Sequence, residues 1–180
     1  MREAVFGALL RALERHTPDF VRSAEIQILM NLTSRAFRTR AAGVWFLPAD
    51  RALERYAEFT VRCMETLPVR PRELYRRAFR TGRRVRILAG IRKREDAERL
   101  VFLLYRNIRI GMAGSLPGEI TVSDCYFAKF YTPRQCGIMS AADAGIIAGI
   151  CGGGSLRFTR RITEGCGSCR AHFCERRERR

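Results

Sequence analysis

The stretch GMAGSLPGEITVSD, residues 111–124, decides how the rest of the chain is read. Before it, apolar residues recur every three or four positions. From Glu119 onward, Ile120 and Val122 alternate with Glu119, Thr121 and Ser123, which is the two-residue period of a strand with one face buried. Gly111, Gly114 and the Pro117-Gly118 pair are turn formers that separate the two textures. The sequence therefore predicts an α+β protein, with a helical N-terminal layer over residues 1–118 packed on a small C-terminal β-α-β-β unit over residues 119–175. The two parts are expected to share one core, and residues 176–180 form a basic tail that is expected to be disordered.

Working back from Gly111, each helix has its own punctuation. Leu100, Leu103, Leu104 and Ile108 form an apolar stripe behind the acidic opening Arg94-Glu95-Asp96. Pro71 suits a first helical turn, ahead of Leu74, Tyr75, Ala78 and Phe79, and the pattern weakens at Thr81-Gly82. Leu53, Tyr56, Ala57, Val61 and Met64 share a face behind Asp50, read as a cap, with Cys63 beside them as a core residue. Earlier still, Val5, Leu9, Leu10 and Leu13 precede the break at Thr17-Pro18-Asp19, and Phe20, Ile26, Leu29, Met30 and Phe37 continue an apolar face.

Working forward, residues 140–150 read as a short helix of small residues stopped by Gly152-Gly153-Gly154. Residues 156–162 and 170–173 read as strands. The triglycine lacks the Lys-Ser or Lys-Thr that a phosphate-cradling loop needs, so it is assigned to a turn.

The formal charge of +16 comes from 34 basic residues, of which only Lys93 and Lys129 are lysine. Such an excess of arginine, with many alanines and glycines, is what a GC-rich coding bias produces without selection for a ligand. Acidic residues such as Glu54, Glu58 and Glu73 are interleaved for local pairing, and this argues against a nucleic-acid partner. No apolar run reaches the roughly 18–20 residues that span a bilayer, and the first residues keep helical periodicity instead of a signal peptide's uniform apolar centre. The expected location is cytoplasmic, without a membrane partner.

In a reducing compartment, seven cysteines point to metal binding, catalysis or burial before disulfides. All but Cys63 lie in the last third. Cys166 and Cys169 have the two-residue spacing that lets both thiolates face one ion, and Cys125 and Cys136 complete a four-sulfur set for zinc or an iron–sulfur cluster. Alternatively one of the cysteines is a nucleophile, which requires a lowered pKa and a base within reach; of the two histidines, His172 is near Cys169 and Cys174 in sequence. In the third reading the thiols are small buried hydrophobes, which suits Cys151 best. Asp143, alone among small and apolar residues, is either a helix-capping acid or a general base in a recess.

Cys125-Tyr126-Phe127-Ala128-Lys129, Cys136, Asp143, the strand Leu156-Arg157-Phe158-Thr159-Arg160, and Gly165 with Cys169 together resemble the L-2-amino-thiazoline-4-carboxylic acid hydrolase family. The resemblance covers the last third of the chain. It implies hydrolysis of a cyclic amidine or related C–N bond in a small-molecule substrate. Asp143 would be the general base, with Cys125 or a thiolate-bound metal completing the chemistry, and Lys129 and Arg160 would hold a substrate carboxylate. The chain departs from that pattern where Arg170 replaces the acid after the last cysteine, and in the additional Cys166 and Cys174. Ser123-Asp124-Cys125, Cys136, residues 145–149 and Glu164-Gly165-Cys166 also resemble the 4-vinyl-reductase-type small-molecule-binding domain, which implies a ligand bound without turnover.

Overall fold

The computed structural model describes residues 2–41 and 43–175; the basic tail 176–180 and the side chains of Val5 and Leu9 lie outside the described residues. Prolines set several helix starts, because a fixed φ suits the first turn and its missing N–H is not needed there. Helices α1 (Arg2–Arg15), α2 (Asp19–Ala36), α3 (Ala49–Thr66), α4 (Pro71–Leu88) and α5 (Arg94–Asn107) come first. Strands β1 (Ile110–Gly114) and β2 (Gly118–Cys125), helix α6 (Pro133–Cys151), and strands β3 (Ser155–Arg160) and β4 (Cys169–Cys174) follow. Short 3-10 turns occupy Tyr126–Lys129 and Ile162–Glu164. The architecture is α+β, with the helices N-terminal to a small antiparallel sheet.

The sheet has the order β1-β2-β4-β3, and every pairing is antiparallel. Ile120 faces Ala171 and Val122 faces Cys169 across the central pair, all four buried, while Thr121 opposite Arg170 and Glu119 opposite His172 line the other face. The single-faced alternation of residues 119–124 thus gives the sheet one side on the core. A single cluster of buried side chains includes Leu53, Leu74 and Val101 from the helices, Ile147 and Ile150 from α6, and Ile120 and Phe173 from the sheet.

The expected β-α-β-β unit gains a strand. Residues 110–114, read as glycine punctuation, pair with β2 as β1, and Gly114 (φ 128°) sits where a Cβ would collide with the Glu119 carbonyl. Glycine here permits close backbone approach instead of ending structure.

Two helices also outrun their expected ends, for a related reason. Helix α4 passes through Thr81-Gly82 because Gly82 faces α6: a Cβ there would stand 2.5 Å from the Ile146 carbonyl. From the other side, a Cβ at Gly145 or Gly149 would collide with the carbonyls of Tyr75 and Phe79. Helix α6 begins seven residues before Ser140, at Pro133. It is held by a capping box in which Gln135 N–H donates to Thr132 Oγ1 (3.3 Å) and Thr132 N–H to Gln135 Oε1 (2.9 Å). It stops at Gly152, φ 90°.

Asp50 does not cap α3, since Pro48 occupies the N-cap. It lies in the first turn and accepts from Arg22 (3.1 Å) and Arg109 (2.7 Å), joining α2, α3 and the start of the sheet. No helix among the described residues is long and apolar enough to cross a membrane.

Candidate functional site: a cavity lined by Asp143, tyrosines and thiols

Cys136, Met139, Asp143, Ile146 and Ile150 repeat at spacings of three and four along α6, so they form one stripe. That stripe lines a cavity of about 410 Å³ between the helices and the sheet. Cys125, the last residue of β2, and Cys169, the first of β4, close it from the sheet side. Tyr56 of α3, Tyr105 of α5, and Phe127 and Tyr131 around the first 3-10 turn add aromatic walls. The remaining lining is mostly aliphatic and runs to Ile28 of α2, which is exposed. The volume falls within the usual range for small-molecule sites, roughly 300–1,000 Å³.

The polar groups are few and specifically placed. The Tyr105 hydroxyl donates to Asp143 Oδ1 at 2.9 Å. The hydroxyls of Tyr131 and Thr60 are hydrogen-bonded at 2.6 Å. Phe127 packs edge-on to Tyr56 (5.9 Å between centroids) and stacked with Tyr131 (5.5 Å). Asp143 is half-buried, its remaining surface turned to the cavity, and desolvation raises its pKa from 3.8 to about 6 against the lowering effect of the Tyr105 bond. Burial and then the Asp143 charge raise the phenol pKa values of Tyr56 and Tyr105, so both stay protonated. Cys125 is pushed up to about 12, chiefly by desolvation, and Cys136 and Cys169 also move up by burial.

At the α2 end lies a second acid, Glu25. It accepts from Asn107 Nδ2 at 2.9 Å, and desolvation raises its pKa to about 8 against that bond and the Arg22 charge. Glu25, like Asp143, is therefore tuned by exclusion of water.

The residues singled out in the sequence separate into two groups. Asp143, Cys125, Cys136 and Cys169 line the cavity; Cys166 and Gly165 do not. Cys169 Sγ accepts the Ile162 N–H at 3.3 Å, which ties the start of β4 to the second 3-10 turn. Among the described residues no group of three or more His, Cys, Asp or Glu side chains is spaced to hold a metal ion. Of the four cysteines assigned to a zinc or iron–sulfur site, Cys125, Cys136 and Cys169 line the cavity and Cys166 does not.

The two cations assigned to a substrate carboxylate also lie elsewhere. Lys129 is exposed at the end of its 3-10 turn, its ammonium 4.2 Å from the Tyr126 ring centroid. Arg160 would share the inward side of Leu156 and Phe158 in a regular strand. A bulge after Phe158 instead pairs it with Arg170, and it is exposed. His172 alternates onto the face opposite Cys169, so it cannot serve as a base for the cavity thiols.

Tyr56, Tyr105, Tyr131 and the Glu25–Asn107 pair are functional candidates that the sequence did not single out. Tyr105 and Tyr56 carry a faint signal, a hydroxyl on an otherwise apolar helix stripe that needs a partner when buried. Glu25 carries none, because α2 has no sharply divided apolar face. None of the protein families, curated proteins or solved structures compared with this chain matches it.

Proposed function

We propose that this protein binds a small, largely apolar molecule in the cavity beneath α6, and that binding is its primary function. The observation that carries this reading is the lining itself: about 410 Å³ bounded by a mostly apolar wall, with two acids set in it, Asp143 held by a tyrosine hydroxyl and Glu25 by Asn107. Such a site recognises shape through its walls and orientation through a few placed polar groups. A neutral apolar fluorophore such as N-phenyl-1-naphthylamine should bind saturably, one per chain. Ala24→Trp, which plugs the α2 side of the cavity, should abolish the signal while leaving the far-ultraviolet circular dichroism unchanged. Absence of saturable binding to the native protein would refute the reading.

A second reading, hydrolysis of a cyclic amidine or related C–N bond, is favoured by Asp143, whose pKa near 6 suits proton transfer and which shares the cavity with Cys125. In it, water adds to the amidine carbon, Asp143 takes the water proton and returns it to the departing nitrogen. It ranks second because the Cys125 thiol is pushed up to about 12, neither histidine lines the cavity, and Lys129 and Arg160 are exposed outside it. Turnover of a cyclic amidine that vanishes in Asp143→Asn would promote it above simple binding.

A further inference from the structure

We propose that the ligand of this cavity carries a basic nitrogen, cationic at neutral pH, seated between the Asp143 carboxylate and the aromatic walls of Tyr56, Phe127 and Tyr131. This rests on the reading of the cavity as a binding site and adds the chemical class of what it binds. The first observation is the charge of the lining: among the described residues it contains Asp143 and Glu25 but no lysine, arginine or histidine. Arg161, which acts on Cys136 and Cys169 from outside that lining, is engaged through Nη1 with Glu164 at 3.0 Å and lies 5.3 Å from the Phe158 ring, while its buried Nε has no hydrogen-bond partner among the described residues. At the α2 end Arg22 acts on Glu25 but is paired with Asp19 and Asp50. Beside Asp143 a ligand carboxylate or phosphate would therefore face a like charge and no lining cation among the described residues, whereas an ammonium or amidinium would find its counter-charge.

The second observation is the arrangement around Asp143. Tyr105 occupies Oδ1, and Asp143 makes no other hydrogen bond among the described residues, so Oδ2 is left to accept from a ligand N–H. Tyr56, Phe127 and Tyr131 are mutually packed rings on the same cavity. Aromatic faces attract a desolvated cation, and a carboxylate beside them supplies the opposite charge. The apolar body of the ligand would then extend past Val85 and Leu104 toward Ile28.

The groups facing Asp143 keep the site a simple acid. They are Tyr56 from α3, Tyr105 from α5, Cys125 and Tyr131 around the first 3-10 turn, Cys136 on α6 and Cys169 on β4. All are shifted upward and stay neutral between pH 5 and 7.5, leaving Asp143 as the group that gains charge there. Glu25 remains protonated over most of that range, with a pKa near 8.

The test compares three ligands that share one body: 4-phenylbutylamine, 4-phenylbutanol and 4-phenylbutyrate, titrated calorimetrically into the native protein at pH 7.5. The amine should bind about tenfold tighter than the alcohol, and the acid most weakly. Asp143→Asn should bring the amine down to the affinity that the alcohol has for the same variant. Lowering the pH from 7.5 to 5 should erase the amine's advantage in the native protein, a readout that stands if the variant does not fold, and the loss should persist in Glu25→Gln. If the alcohol binds and the amine holds no advantage, the charge inference is overturned while the cavity reading survives. If none of the three binds, both fall.

Discussion

The Tyr105 hydroxyl and Asp143 Oδ1, 2.9 Å apart, join two helices whose sequences give no hint of each other, and they fix one acid at the inner end of an apolar cavity. The bond favours the ionised carboxylate, so it opposes the desolvation that raises Asp143. Tyr105→Phe should move the Asp143 pKa further above 6 and cost about 2 kcal/mol of stability near neutral pH, as expected for a hydrogen bond to a charged group. Carboxyl carbon chemical shifts followed through a pH titration measure the first effect; an unchanged midpoint would show that the hydroxyl does not act on the acid.

Stability should fall as pH rises from 5 to 8. Asp143 and Glu25 hold their protons in the folded chain up to about 6 and about 8, while in the unfolded chain both ionise in the ordinary range near 4. The folded state thus binds more protons through this window, and the stabilisation present below the ordinary values is lost as pH passes each folded pKa. Glu73, lowered by its bonds and charge contacts with Arg76 and Arg77, acts in the opposite sense, but only at more acid pH. Urea midpoints at four pH values should decline, and Glu25→Gln should flatten the decline between pH 6 and 8. A native profile rising over that window contradicts the assignment.

The glycines of α6 should divide sharply. Gly149→Ala places a methyl against the Phe79 carbonyl and 2.8 Å from the Arg83 nitrogen, so α4 and α6 must separate, at about 2–3 kcal/mol. Gly137 lies on the exposed side of the same helix with nothing near its missing Cβ, and Gly137→Ala should stabilise by up to about 1 kcal/mol through helix propensity. Chemical denaturation of the two variants checks both signs at once.

Thiol reactivity should follow burial. Cys174 is exposed, whereas desolvation raises Cys125 to about 12 and Cys151 to about 11, and also raises Cys63, Cys136 and Cys169. Iodoacetamide at pH 8, read by peptide mass spectrometry, should label Cys174 at least about a hundredfold faster than Cys125. Rapid labelling of Cys125 would instead reveal an activated nucleophile and restore the covalent reading of the site.

Much of the fold could be read from residue order because it rests on local physics. The alternation Glu119–Ser123 set a strand with one buried face, and the prolines at 18 and 71 marked helix starts. Asp143 also stood out early, since an acid among alanines and glycines has little reason to be there unless something receives it. What the sequence left undecided depended on distance between segments. Gly82, Gly145 and Gly149 look like helix weakeners until α4 and α6 are seen to meet at their backbones, and Gly111 and Gly114 look like loop until β2 lies beside them. The bulge after Phe158 turned Arg160 outward, and the regular alternation of β4 kept His172 from Cys169, because a single residue of register decides which face a side chain occupies. Above all, the cavity joins Tyr56, Tyr105, Cys125 and Asp143 from four separate elements. Residue order cannot encode that proximity; only packing around one core created it, and with it the desolvation that gives the acid its chemistry.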